Sequence, residues 1–144
     1  VDVLGQTSTL KILTPHPGEM ARLTKLKKEF IETRRLRVAK EFAARFAVIV
    51  VLKGHRSVVA SPDGRVYVNT TGNPGMASAG SGDVLTGMIA AFLGQGLKGF
   101  PAAQWGCYLH GKAGDLASRQ KTGVSMIATD IIDNIPLVLR TTGR

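Results

Sequence analysis

At 144 residues with 44% hydrophobic content, the chain is long enough for one ordinary globular core and is read as a single domain or part of one. The single Cys107 excludes an internal disulfide and any multi-cysteine metal site; it fits a reducing compartment, so the cytoplasm is the expected location. No apolar run approaches the ~20 residues that span a bilayer, the N-terminus lacks the basic-then-apolar layout of a signal peptide, and the formal charge of +9 indicates nucleic acid only if its cations form a motif.

Residues 1–6 carry no readable element boundary. Leu10-Lys11-Ile12-Leu13 predicts a short strand that stops at Thr14-Pro15, because the residue before a proline is pushed out of helical geometry. Pro15-His16-Pro17-Gly18-Glu19 reads as a strand-to-helix corner, with Pro17 suited to a first helical turn and Glu19 to the positive end of the helix dipole. Such a corner turns His16 outward. By residue type alone His16 is a hydrogen-bonded corner residue and Glu19 a cap. The cations Arg22, Lys25, Lys27, Lys28, Arg34, Arg35, Arg37, Lys40 and Arg45 are interspersed with Glu29, Glu32 and Glu41 and with few aromatics. That is the solvated face of one or two helices and argues against nucleic acid as the partner. Apolar residues at 36, 38, 39, 42, 43 and 46 predict a helix over residues 36–46.

Residues 47–52 are continuously apolar and rich in β-branched side chains, the pattern of a strand covered on both faces of a largely parallel sheet. The strand runs into Lys53-Gly54-His55-Arg56-Ser57. Ligands of open α/β sheets gather outside the carboxyl ends of strands, so Lys53 and the backbone after it are placed for a nucleotide phosphate or ribose; a charged turn is the plainer alternative. Residues 57–60 and 65–69 flank Ser61-Pro62-Asp63-Gly64 and predict an antiparallel hairpin.

The stretch Gly72-Asn73-Pro74-Gly75-Met76-Ala77-Ser78-Ala79-Gly80-Ser81-Gly82-Asp83 passes from loop to helix chemistry, with apolar residues following at 84, 85, 88, 89, 92 and 93. Gly80 and Gly82 remove side-chain bulk before the first turn, so backbone N–H groups there can face a bound anion at the positive end of the helix. An acid in such a cradle would repel a static phosphate, which suits Asp83 to taking a proton from an attacking hydroxyl while the amides of Gly80, Ser81 and Gly82 hold the transferred group. The alternative is a glycine loop with Asp83 as a simple cap. Neither the dinucleotide fingerprint nor a P-loop is present.

Over residues 101–120, Ala102, Ala103, Trp105, Leu109, Ala113, Leu116 and Ala117 predict a helix whose several glycines point to close packing, with Trp105, Tyr108 and His110 as packing or surface residues. Thr129 is suited to cap a last helix over residues 130–140 with a stripe of Ile131, Ile132, Ile135, Val138 and Leu139 and a kink at Pro136.

Two blocks together, Leu13-Thr14-Pro15-His16-Pro17-Gly18-Glu19-Met20-Ala21-Arg22-Leu23 and Asn73-Pro74-Gly75-Met76-Ala77 continuing through Gly80-Ser81-Gly82-Asp83-Val84-Leu85-Thr86-Gly87, resemble the signatures of the ribokinase-like NAD(P)H-hydrate dehydratases. Ser81 stands where that pattern often has threonine. The resemblance implies a layered α/β/α fold with a mostly parallel central sheet, of which residues 1–144 form the C-terminal portion of a single domain. It implies repair of hydrated NADH and NADPH driven by ADP or ATP with Mg²⁺, without assigning protein ligands to the metal. Asp83 would be the base, Gly80 to Gly82 the anion hole, His16 and Asp83 the substrate contacts, and Lys53, Gly54, His55, Arg56, Ser57 and Gly82 the nucleotide contacts. Glu19 and Asn73 are secondary candidates. A homo-oligomer is expected, a tetramer being common in the family. Two alternatives stay open: a vitamin-precursor kinase of the same superfamily, and a nucleotide-binding piece without activity of its own.

Overall fold

The computed structural model describes Leu4 and residues 9–142, so the reading of residues 1–6 lies outside it apart from Leu4. The elements are β1 (Ile12–Leu13), α1 (Pro17–Thr24), α2 (Lys28–Thr33), α3 (Arg35–Phe46), β2 (Ile49–Leu52), β3 (Val58–Ala60), β4 (Val66–Val68), α4 (Ser81–Gly94), α5 (Gly99–Gln120) and α6 (Ala128–Thr142). The strands form one sheet in the order β1-β2-β3-β4.

The chain is layered as its β2 pattern demands. Val50 and Leu52 pack with Met20, Ile31, Val38, Ala39 and Phe42 from α1, α2 and α3. Ile49 and Val51, on the opposite face of the same strand, pack with Leu85, Ile89, Phe100 and Ala103 from α4 and α5. Successive strand residues point to opposite faces, so an unbroken apolar run is what two helical layers require. Each of the buried Val, Leu, Ile, Phe and Met side chains among these contributes about 1.5–3 kcal/mol relative to exposure.

Strand direction within the described sheet is mixed. Among the described residues only β1–β2 is parallel, with Ile12 opposite Ile49, while β2–β3 and β3–β4 are antiparallel. The sheet is therefore mixed, because burial of both faces constrains the covering layers and not the direction of the neighbouring strand. The hairpin forms as read, with Gly64 at φ +90° in its turn.

Other boundaries move for local reasons. Ala47 adopts a left-handed conformation as the C-cap of α3, so β2 begins at Ile49. Asp130 lies within the first turn of α6 and accepts a 2.9 Å hydrogen bond from Ile127 N, so α6 starts at Ala128, before the expected cap Thr129. On α6 the buried row is Ile131, Asn134 and Val138, whereas Ile132 and Leu139 are exposed. Asn134 holds that core place by donating to Asp130 O and Gln120 Oε1.

The glycines of α5 do serve close packing. A Cβ on Gly106 would lie 2.5 Å from Ile89 Cγ1, one on Gly111 would lie 2.7 Å from the carbonyl carbon of Thr71, and one on Gly114 would lie 2.7 Å from Met76 Cε. These three positions let α5 lie directly against α4 and against the loop that precedes it.

Candidate nucleotide and phosphate site

The corner after β1 is built by reciprocal capping. His16 is the N-cap of α1, its Nδ1 accepting from Gly18 N at 3.0 Å and Glu19 N at 3.2 Å, while Glu19 Oε2 accepts from His16 N at 2.7 Å. Glu19 is thus a capping residue, as its residue type alone suggested. The hydrogen bond from the His16 backbone is the largest cause holding its carboxyl below the usual range, with smaller help from the charges of Lys53, His16 and Arg22.

Lys53 leaves the end of β2, where its own N–H donates to Pro15 O at 2.8 Å, tying strand to corner. Its ammonium lies 3.8 Å from Glu19 Oε2, and a Cβ placed on Gly82 would come within 3.0 Å of it. The cation therefore sits over the first turn of α4. That turn opens at Gly80, which has φ +83° and offers no side chain to cap the helix. Ordinary residues strain at such an angle, and a helix terminus without a side-chain cap beside a lysine can receive an anion, although Ser81 N already donates to Ser78 O at 3.3 Å. Asp83 stands exposed in the same turn.

The turn after Lys53 is held by a residue that periodicity placed on a solvated face. Arg35 is half-buried: its guanidinium donates to Leu52 O at 2.8 Å and to His55 O, and it lies against Gly54, whose φ is +136°. Burial lowers its pKa, with Glu32 opposing. Arg35 is thus a clamp on the backbone of residues 52–55. Ser57 adds a hydrogen bond from Oγ to Gly54 O at 3.1 Å.

Asn73 caps the 3₁₀ turn Pro74–Met76 by accepting from Gly75 N at 3.0 Å, and its amide donates to Gly114 O and Asp115 Oδ1. Asp115 also accepts from Gly72 N at 3.0 Å. Asn73 thus shapes the loop, and Asp115, which no local pattern singled out, anchors that loop to α5.

These pieces border one cavity of about 630 Å³. His16, Lys53, Gly54, His55, Ser57, Asn73, Ser81 and Gly82 line it. Gly80, Arg56, Glu19 and Asp83 do not; Glu19 lies in a neighbouring shallow groove with Thr14 and Arg22. His110 lines the cavity from α5 and is buried, so it is neither a surface residue nor remote from the site. Its spacing from Cys107 and Gly111, both also on the lining, was the available sequence signal.

The layered α/β arrangement is that of the ribokinase-like fold: a ribokinase-like superfamily protein of Enterococcus faecalis matches at TM-score 0.74 and 35% identity over 90% of this chain and 44% of that one. The sequence profile of the NAD(P)H-hydrate dehydratases matches residues 4–137, and the chain belongs to that family. The bifunctional NAD(P)H-hydrate repair enzyme Nnr of Moorella thermoacetica is 56% identical over 129 residues, which make up 90% of this chain and 24% of that protein. The structure of the ADP/ATP-dependent NAD(P)H-hydrate dehydratase of Bacillus subtilis, co-crystallised with ATP and Mg²⁺, matches at TM-score 0.88 and 36% identity over 96% of this chain and 52% of that one. The chain therefore spans about a quarter of the first relative and about half of the second.

Proposed function

We propose that this chain carries the phosphate-transfer part of an enzyme that uses ADP or ATP to return hydrated NADH or NADPH to the intact dinucleotide. The observation that carries this is the ammonium of Lys53 lying over Gly82 at the uncapped terminus of α4, in the wall of a cavity large enough for a nucleotide. The family of the chain supports the choice of the hydrated dinucleotide over a vitamin precursor as phosphate acceptor.

In this reading the hydroxyl of the hydrated ring attacks the terminal phosphorus, and the nucleotide leaves one phosphate shorter. Asp83 takes the hydroxyl proton, and the amides of Gly80, Ser81 and Gly82 hold the transferring phosphoryl group. Phosphate then departs with the ring oxygen as a ring proton is lost, which restores the double bond. Lys53 offsets phosphate charge, the backbone of residues 54–57 contacts the nucleotide, and His16 contacts the dinucleotide. Glu19 keeps the corner and Lys53 in place, and Asn73 shapes the loop. In this reading Mg²⁺ would neutralise charge on the nucleotide phosphates.

The chain is read as the C-terminal portion of one such domain, in the cytoplasm. Assembly into a homo-oligomer belongs to the same reading, with exposed Ile132, Leu137 and Leu139 of α6 as apolar surface for it. Supplying hydrated NADPH with ADP or ATP and following the absorbance of restored NADPH tests the proposal. Phosphorylation of a vitamin precursor without that recovery would replace it with the kinase.

A further inference from the structure

Arg35 occupies a place that is unfavourable for a cation on three counts. It is the first residue of α3, where the helix dipole opposes positive charge. It is half-buried, and its Nε is buried without a hydrogen-bond partner. Among the described residues no carboxylate forms an ion pair with it; Glu32, the acid whose charge it feels, pairs with Lys28 at 3.5 Å instead. A cation kept only for a solvated face would turn outward, as the exposed Arg34 and Arg37 do.

What the position gives Arg35 is the turn after β2. Its guanidinium donates to Leu52 O at 2.8 Å and to His55 O, and Ser57 Oγ donates to Gly54 O at 3.1 Å. The backbone between them is unusual: Gly54 is at φ +136° and Arg56, a non-glycine residue, at φ +54°. Left-handed geometry at such a residue persists only where its surroundings impose it. While these three carbonyls are engaged by the protein, the N–H groups of Gly54, His55 and Arg56 form no hydrogen bond among the described residues. Gly54 and His55 line the cavity beside Lys53, whereas Arg35 does not.

The balance of free groups narrows what the turn receives. A ribose hydroxyl needs an acceptor for its own proton as well as a donor, whereas a phosphate oxygen only accepts. Successive unpaired N–H groups, backed by a guanidinium and flanked by the Lys53 ammonium, therefore suit phosphate.

We propose that Arg35 is a positioning residue for phosphate transfer: it holds the turn of residues 53–56 in the form whose free N–H groups receive nucleotide phosphate, without touching the nucleotide itself. The proposal rests on reading the cavity as the nucleotide site.

Calorimetric titration of the complete chain and of R35M and R35K with ADP tests this, with binding stoichiometry and a thermal melt recorded for each. R35M should weaken ADP binding about ten- to thirtyfold with stoichiometry unchanged. R35K should recover only part of the loss, because an ammonium keeps the charge but not the planar fork that holds two carbonyls. Adenosine, measured by its competition with ADP, should bind the parent and R35M alike. A merely structural arginine predicts a different pattern, a lower melting temperature and fewer binding sites that each keep the parent Kd. That pattern overturns the proposal, as does full recovery in R35K or an equal loss for adenosine. If R35M does not fold, R35K decides the matter, its expected loss being about three- to tenfold. A parent protein that binds no ADP overturns the functional reading and this proposal with it, whereas a parent that binds ADP and variants that bind it equally well overturn this proposal alone.

Discussion

Substituting alanine at Gly111 and at Gly87 is the same chemical change on two helices, and the structure gives it opposite signs. At Gly111 the new methyl would lie 2.7 Å from the Thr71 carbonyl carbon and 2.8 Å from Thr71 Cβ, and closer still to Thr71 Oγ1. Backbone cannot yield as a flexible side chain does, so α5 must move away from the loop or Thr71 must give up its hydrogen bonds to Asn69 Oδ1 and Tyr108 O. Overpacking costs about 1–3 kcal/mol and each lost hydrogen bond about 1 kcal/mol, against a gain of about 1 kcal/mol in helix propensity. The net is a loss of about 2–3 kcal/mol, or roughly 5–10 °C in melting temperature for a chain of this size. At Gly87 nothing lies within 4 Å of the added atom, and the residue is exposed in the middle of α4. Only propensity acts there, and Gly87→Ala should stabilise by about 0.5–1 kcal/mol. Urea and thermal melts of the two variants and their parent measure both. Gly111→Ala as stable as the parent, or Gly87→Ala destabilised to the same degree, would refute the packing argument.

Asp83→Asn should leave nucleotide affinity and melting temperature nearly unchanged and lower turnover of hydrated NADPH by about 10²–10⁴-fold, the range of a positioned base; near-normal turnover would leave the glycine cradle as a binding feature alone. Lys53→Ala should weaken ADP binding about 10–100-fold and NADPH binding less, since a charge-assisted contact to phosphate is lost, and equal ADP affinity would remove Lys53 from the site. His110 should also give the fold an acid sensitivity. Its folded pKa of about 4 lies below the ordinary 6.5, so the unfolded chain takes up a proton that the folded one refuses; stability is intact above pH 6.5 and declines by about 3 kcal/mol as pH falls to 4. The lowered carboxyl of Glu19 acts only below its ordinary 4.5, so urea melts between pH 6.5 and 5 isolate the histidine, and a slope unchanged in His110→Phe would contradict the assignment.

The elements were legible wherever one residue's neighbours in the chain decide its state. The apolar run of β2 demanded two covering layers, Pro17 and Glu19 marked the start of α1, Gly64 marked the hairpin turn, and Gly80 and Gly82 marked a helix terminus stripped of side chains. The likeness of residues 13–23 and 73–87 to one family's signatures likewise needed only the sequence. Local pattern failed where a side chain's partner is distant. Arg35 reads as one more cation on a helix face, yet it clamps carbonyls 17 and 20 residues away. Asp115 secures a loop 43 residues before it, and Asn134 takes a core position that Ile132 would fill by hydrophobicity, its amide nitrogen donating to Gln120 and Asp130. Strand direction belongs to the same group, since an alternating or continuous apolar pattern states which faces are covered and is silent on which way the neighbour runs. By itself the sequence determined the layers, the helix terminus and the family. Only tertiary structure decided that Lys53 lies over Gly82 and that His110 faces the same cavity, because those contacts join separate elements and arise when the α4–α5 layer closes on the sheet.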